Sequence, residues 1–589
     1  MQKFDIIDKF DNMYKYKNPI KERNLTILEF NERIMNIAKR NDIPILERLN
    51  FINISFNNID EFISEKLVHC NNIDKSKYIK YIEKLYSEME EITVNILQKY
   101  DISIGGVIDN TYERSPYFKD KGLYYVYIDG DNNFNIVLFD ISKTVTEEKI
   151  RIQNPLINIR FSFIVRFICN KSFTHISTSD NIETTINEMK SLIKLKNDVV
   201  FNYIQSTCSN EYIMSNFINQ LGLNLDGYIY TTDISIQLPS LIKRIKLANN
   251  DLSLKYADFI SEYKEYDYIE YLKDNDILIH NPYESYSHIT DFIHQMCISE
   301  DIKSIGMTLY RTADNSIIIK SLIKAKLLGK SVSVYIEPTA KGNEENNIEN
   351  IEKLLAYNIE VSCNYYSYKV HSKIFYAIDK DERIYAHIGT GNYNEDTSKV
   401  YTDIHLLTTN KSISYPLVEL FDSLMKKKMY TNKTNTTNLY TSPIHLREHI
   451  LLSISKEIIK GNKGKIFIKC NSLCDLELID RLYAAAKAGV KVRLIVRTSC
   501  SIIPIKNIEI RSKIGRFLEH SRIYIFGDDV YISSADLLLR NINKRVEVMC
   551  KIITSDIKLK VIDIFINVWN DIHTQYMGND YKWHQYNEI

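Results

Sequence analysis

Nowhere in this 589-residue chain does an apolar run reach the roughly eighteen residues that a membrane-spanning helix needs. The opening Met1-Gln2-Lys3-Phe4-Asp5 carries charges where the apolar segment of a secretory leader would stand, so the chain reads as cytoplasmic. Net charge is missing too: 75 basic residues balance 75 acidic ones, which excludes a global field that draws in polyanions and leaves only local anion sites. The nine cysteines are scattered singly. Their one close pair, Cys470 and Cys474, lacks a second pair or histidines at metal-ligand spacing, so they read as reduced and structural. Glycine and proline are nearly absent from the first hundred residues, which leaves a long stretch without helix breakers.

What is present is ordinary globular material, 44% apolar or aromatic and 25% charged, with no segment polar and charged enough to stay unfolded. At roughly 150 residues per domain the length implies about four domains. Leu28, Ile34, Ile37 and Ala38 recur at helical spacing, as do Ile82, Leu85, Met89 and Ile92, which predicts an N-terminal helical domain over 1–110. Gly105-Gly106 interrupts that pattern, and runs such as Tyr124-Tyr125-Val126-Tyr127-Ile128 predict strands from there to Phe167. A helix is expected from Ile182 to Gln205. These elements belong to a mixed α+β middle domain, 111–282, closed by Asn281-Pro282. Beyond it the texture becomes strand, helix, Gly, strand, the pattern of a sheet between layers of helix.

That pattern occurs twice. Ser321-Leu322-Ile323-Lys324-Ala325-Lys326-Leu327-Leu328-Gly329 runs into Val332-Ser333-Val334-Tyr335-Ile336, and Arg481-Leu482-Tyr483-Ala484-Ala485-Ala486-Lys487-Ala488-Gly489 runs into Val492-Arg493-Leu494-Ile495-Val496. Each is a helix, a glycine C-cap and a strand. Each copy then has a histidine with a cation two residues on, His371-Ser372-Lys373 and His520-Ser521-Arg522, and ends on a strand bearing a carboxylate, Asp403 or Glu547. Two equivalent α/β domains are implied, 283–440 and 441–589, so the fold class is multidomain α/β.

Residues two apart on a strand share a face, so each histidine and its cation point the same way. A neutral imidazole is a competent nucleophile towards phosphorus, and the cation offsets the charge of an incoming phosphoryl group. With two such rings in one site, one takes the phosphoryl group while the other protonates the leaving oxygen, and a carboxylate behind each ring fixes its tautomer. Asp403 and Glu547 are the candidates, paired either within a repeat or crossed between repeats. Gly389-Thr390-Gly391-Asn392 is a small-residue turn whose backbone N–H groups suit phosphate oxygens. The chain has no G-x-x-x-x-G-K-[ST] motif, so a nucleotide would be held without a P-loop.

Phe30-Asn31-Glu32-Arg33, Pro44 to Leu49, Asn57 to Phe62, Tyr310-Arg311-Thr312-Ala313, Tyr385 to Asp403, Asn471 to Arg497 and Phe517 to Glu547 resemble the histidine-phosphorylating polyphosphate kinases, whose catalytic halves are phospholipase-D-like. The resemblance covers nearly the whole chain. It implies His371 as the phosphorylated nucleophile, His520 as the second histidine, and Asp403 and Glu547 as their supporting carboxylates. Asn58, Tyr401, Arg497 and His520 match residues that contact ATP, and Lys373 is the cation beside the nucleophile. Arg311 matches one of two arginines associated with magnesium-bound phosphate, and Lys341 stands where the family has the second. Ile27, Lys399 and Asn543 replace an expected tryptophan, arginine and aspartate.

The implied activity is reversible transfer of the terminal phosphate of ATP to inorganic polyphosphate, with Mg2+ neutralising the triphosphate. The implied partners are ATP, ADP and polyphosphate, with a homo-oligomer, dimer or tetramer, no nucleic acid, and at most peripheral association at the inner face of a membrane. Lys369, Lys399, Arg511, Arg516 and Arg545 are candidates either for a polyphosphate path or for ordinary surface cations. His387 and His405 read as structural. Two other readings are a phospholipase-D-type phosphodiesterase acting through the same histidines, and a catalytically weak regulator that binds nucleotide or polyphosphate.

Overall fold

The computed structural model describes residues 18–67, 70–100 and 252–585 except 367 and 431–436. Between 101 and 251 it describes 123–128, 134–139, 161–169, 182–184, 186, 187, 190, 201–220, 228–231 and 242. The chain forms two compact units.

One unit holds the long helices Arg23–Lys39, Ile45–Glu65 and Asn72–Tyr100 with a five-stranded sheet. The predicted apolar stripes are the helix contacts: Leu28, Ala38, Ile82, Leu85 and Met89 are fully buried. Phe56 meets Tyr86 at 5.5 Å and Phe62 meets Tyr78 edge-on at 5.7 Å. The sheet runs Phe134–Phe139, Leu123–Ile128, Phe161–Cys169, Phe201–Ser206, Tyr228–Thr231. One expectation fails here. The helix predicted from Ile182 to Gln205 does not reach its end, because Phe201–Ser206 is a strand between Phe161–Cys169 and Tyr228–Thr231. Partners on both sides of this aromatic segment outweigh its local spacing. Gly105-Gly106 lies outside the described residues.

The other unit contains two sheets with one strand order. In the first, Ile277–Asn281 pairs with Tyr401–Thr408, followed by Ile384–Gly389, Ile374–Asp379, Ile302–Leu309, Ser331–Ile336 and Glu360–Ser362. In the second, the same sequence is Leu439–Thr441, Val548–Lys551, Asp529–Ser533, Arg522–Phe526, Lys465–Cys470, Lys491–Val496 and Ile508–Lys513. The last three strands of each series are parallel and the rest antiparallel. The repeat read in the sequence is thus a repeat in topology, and the two α/β domains are equivalent.

The glycine caps act as expected. Gly329 and Gly489 take φ of +84° and +96°, the left-handed region in which a side chain is strained. The next residue reaches back over each helix end, Lys330 N–H to Ala325 O and Val490 N–H to Ala485 O, both at 3.1 Å or less. Each cap delivers the chain into a strand with parallel partners on both sides. One buried core spans both sheets, with Ile374, Ala386 and Ile404 of the first packed in the same cluster as Ile523, Ile532 and Val548 of the second.

Candidate active site

Two short parallel strand pairs join the α/β domains, and each delivers a histidine to a carboxylate of the other domain. Lys369–Val370 pairs with Arg545–Val546, and the next residues along are His371 and Glu547. Tyr401–Thr402 pairs with Leu518–Glu519, and the next residues are Asp403 and His520. The backbone bonds match as well: the N–H groups of His371 and Ser372 both donate to Val546 O, and those of His520 and Ser521 both donate to Thr402 O. Crossed pairing is therefore a consequence of register. His371 Nδ1 lies 2.9 Å from Glu547 Oε2, and His520 Nδ1 lies 2.9 Å from Asp403 Oδ1.

Each carboxylate is also held by a hydroxyl of its own domain. Thr390 Oγ1 donates to Asp403 at 2.6 Å and Ser534 Oγ donates to Glu547 at 2.6 Å, and both hydroxyls precede their carboxylates by 13 residues. That shared spacing was the signal available for Ser534, which sequence reading missed. The Gly389-Thr390-Gly391-Asn392 turn serves the carboxylate directly. A Cβ on Gly391 would lie 2.3 Å from Asp403 Oδ2, so only glycine permits this approach. The backbone N–H groups of Gly389 and Thr390 already donate to Lys373 O and Ile404 O, so those two do not cradle phosphate.

The rings differ at Nε2. Arg522 Nη1 lies 3.0 Å from His520 Nε2 and also donates to the His520 carbonyl at 2.7 Å. A guanidinium only donates, so Nε2 of His520 is the acceptor and Nδ1 carries the proton given to Asp403. Among the described residues His371 Nε2 has no hydrogen-bond partner. Lys373, its neighbouring cation, is 1% exposed. Its Nζ donates to the His371 carbonyl and lies 5.2 Å from the centre of the Tyr310 ring. Tyr310, also missed in the sequence, meets the His371 ring edge-on at 4.7 Å.

Electrostatics sharpen the contrast. Burial pushes the His371 imidazole well below the ordinary histidine value, and Lys373, Arg545 and Arg522 push the same way. Burial lowers His520 to about 4, Arg522 adding to it and Asp403 opposing. Both rings are neutral at physiological pH. Burial alone would raise Asp403, but His520 and Thr390 outweigh it and hold that carboxyl far below its usual range. Glu547 goes the other way, raised to about 7 by burial against the pull of Lys373 and Arg545. As a carboxylate it accepts from Nδ1 and leaves the Nε2 lone pair of His371 available; protonated, it would donate to Nδ1 and move the ring hydrogen to Nε2.

The remaining predicted residues divide by location. Tyr401 packs on the His520 ring at 5.2 Å. Arg497 Nε donates to Asn471 Oδ1 at 2.8 Å, and burial lowers its guanidinium to about 10, still charged at neutral pH. Asn471 also reaches the His520 carbonyl and Asp536, and Asp536 holds Arg522 at 3.0 Å, so a chain runs from Arg497 to Arg522. Arg311 and Lys341 are neighbours, Arg311 Nη2 donating to Lys341 O at 2.8 Å. Asn58 lies in the helical unit. It is neither a cap nor a turn residue but sits within the helix Ile45–Glu65, donating to Asn31 Oδ1 at 3.1 Å.

Among the five candidate path cations, Arg511 lies on Trp569, Arg516 on Phe259 and Phe517, and Lys399 beside Asp396, whereas Lys369 and Arg545 are paired neighbours next to His371. His387 and His405 are buried and bonded to each other at 2.9 Å.

Comparison with known proteins gives a consistent result. Residues 20–102 match the family model described as polyphosphate kinase N-terminal domain, 267–430 that of C-terminal domain 1, and 439–588 that of C-terminal domain 2. The chain is 28% identical to a polyphosphate kinase of Lactiplantibacillus plantarum, covering 95% of this chain and 90% of that one. It is 29% identical to one from Yersinia pestis, covering 93% of each. The crystal structure of a polyphosphate kinase from Porphyromonas gingivalis superposes with a TM-score of 0.77 at 20% identity, covering 97% of this chain and 96% of that one, which establishes a common fold.

Proposed function

This chain belongs to the polyphosphate kinase family, and from that premise we propose that it transfers phosphate in two steps through His371. As an ATP–polyphosphate phosphotransferase it takes ATP as substrate. In the first step His371 Nε2 attacks the terminal phosphorus, an N–P bond forms, the bond to the bridging oxygen breaks, and ADP leaves. In the second the terminal oxygen of polyphosphate attacks that phosphorus and the ring returns to its neutral form. A phosphoramidate is a high-energy linkage, so both steps run in reverse and polyphosphate can phosphorylate ADP.

The observation that carries this reading is the difference at Nε2, free on His371 and occupied by Arg522 on His520. Glu547 orients the nucleophile, while His520, whose Nδ1 proton is given to Asp403 and whose Nε2 accepts from Arg522, assists by holding that guanidinium beside the leaving oxygen rather than by protonating it. Tyr401, Arg497 and Asn58 are assigned to ATP, and so is Lys373, whose amine burial pushes well below the ordinary lysine value, Glu547 opposing.

Arg311 and Lys341 are cations and suit phosphate oxygens rather than a metal. Mg2+ is proposed to enter on the triphosphate, where it neutralises charge and orients the phosphates. Lys369 and Arg545, flanking His371, are the basic pair assigned to polyphosphate. Division at 110, 282 and 440, homo-oligomerisation and a cytoplasmic location, with at most peripheral membrane association, complete the proposal. No helix among the described residues is long and apolar enough to cross a membrane.

The test is incubation with γ-labelled ATP and Mg2+, following acid-labile label on the protein and growth of long-chain polyphosphate. Both are expected in the wild type and absent in His371→Ala. Polymer formation by a folded His371→Ala variant would overturn the assignment.

A further inference from the structure

The His520 half of the site contains a buried ion pair at positions that are apolar beside His371. Lys469 and Glu519 meet at 3.0 Å with side chains 2% and 4% exposed. Glu519 immediately precedes His520, and its Oε2 accepts from Thr402 Oγ1 at 3.0 Å, the residue immediately before Asp403. Lys469 Nζ donates to Oγ of Ser521, the residue after His520, at 2.7 Å, and to its carbonyl at 3.2 Å. Outside this core, Lys513 lies 3.7 Å from Glu519 and 2.8 Å from Asp571.

One pair of charges thus grips the chain on both sides of His520 and on the near side of Asp403, although the histidine and the carboxylate come from different domains. At the corresponding places beside His371 stand Val370 and Val546, paired with each other and 1% and 2% exposed. Thr308, whose Oγ1 donates to the Ser372 carbonyl at 2.8 Å, takes the place of Lys469.

A buried ion pair is a poor source of stability, since desolvation offsets its attraction, but it holds its partners to one geometry. We propose that Lys469 and Glu519 are positioning residues that brace His520 against Asp403 across the domain junction, a role resting on the reading that His520 assists transfer. The His371 half has no such pair at these positions; there the buried carboxylate of Glu337 accepts from the Val370 N–H at 2.8 Å. His520 has to stay in place while the group passes.

The brace is tested with Lys469→Met/Glu519→Leu, which removes both charges together and so leaves neither unpaired, and with Thr402→Val, which copies the Val546 side. A displacement of about 1 Å at a reacting group costs about 10²-fold, so kcat for polyphosphate synthesis should fall about 10²-fold in the double variant. Loss of one hydrogen bond in Thr402→Val should cost about tenfold. In both, KM for ATP is expected to stay within about threefold, because both charges are buried.

Histidine-selective 15N NMR without ATP should show the Nδ1–H of His520 losing its hydrogen-bonded shift. A kcat within about twofold of wild type in either folded variant would overturn the brace, as would kcat, KM and melting temperature moving together. Should the double variant fail to fold, Thr402→Val decides. Activity surviving in His371→Ala would instead remove the nucleophile assignment, and the NMR signal would still judge the brace.

Discussion

The two halves of the site share a backbone and differ in chemistry. On each side a two-residue parallel strand pair brings a histidine to a carboxylate from the other domain, and a hydroxyl 13 residues upstream holds that carboxylate. Yet one ring faces a carboxyl that burial raises to about 7 and keeps Nε2 open, while the other faces a carboxyl held far below its usual range and has Nε2 capped by Arg522. A duplicated scaffold supplies two equivalent rings, and a few substitutions around them set the two apart, which is the basis for proposing that one attacks and the other assists. Lysine against arginine two residues on is the most economical of these: Lys373 turns back to the His371 carbonyl, whereas Arg522 puts Nε and Nη2 on Asp536 and still reaches both the carbonyl and Nε2 of His520 through Nη1.

The comparison can be broken at several points. The largest effect is expected from exchanging which ring is removed. His371→Ala should abolish both label and polymer, whereas His520→Ala should still form labelled His371 at a rate reduced about 10²–10³-fold, the range for losing one preorganised group beside the reacting atoms. Rapid-quench measurement of acid-labile label separates the two, and equal labelling of both variants would erase the asymmetry.

Arg522→Lys makes the second half resemble the first. Removing a donor aimed at the reacting region should cost about 10²-fold in kcat, read in the same assay. A variant as fast as wild type would mean that the cap on Nε2 has no part in the division of roles.

Glu547 gives the comparison a pH signature. On the proposed mechanism His371 attacks only while Glu547 is a carboxylate, so kcat should climb with pH through about 7, and Glu547→Gln should remove that limb together with most of the activity. The stability effect has the opposite sign. A carboxyl whose folded value lies above its unfolded one stabilises most below the unfolded value, and that contribution is lost as pH rises through about 7. Glu547→Gln should therefore melt about 2–4 °C higher than wild type at pH 8, with the gain shrinking towards pH 5 in a thermal scan. His520 carries no such limb near neutrality, being lowered to about 4.

The smallest effect is expected at Lys341→Arg, which restores a bidentate fork beside Arg311 and should lower KM for ATP about two- to fivefold with kcat unchanged. Steady-state kinetics check it.

Much of this was legible in advance, and the parts that were not share a cause. The glycine caps at 329 and 489, the buried stripes of the N-terminal helices and the doubled His-x-cation pattern follow from local spacing, which reports backbone preference and the periodicity of burial. The strand Phe201–Ser206 was misread because its neighbours in the sheet, not its own spacing, decide its state. Tyr310, Asp536 and Lys469 were missed since each acts through a contact made with a strand far away in the chain.

The amino-acid sequence by itself determined which residue types exist in pairs: two caps, two histidines each with a cation, two carboxylates. Only the tertiary structure decided that the carboxylates cross between domains, that Arg522 covers one Nε2 while the other stays open, and that a charged brace stands where its counterpart is two valines. Spacing along a chain sets what each segment presents. Which segments meet, and in what register, depends on hydrogen bonds and burial shared between strands that local spacing does not encode.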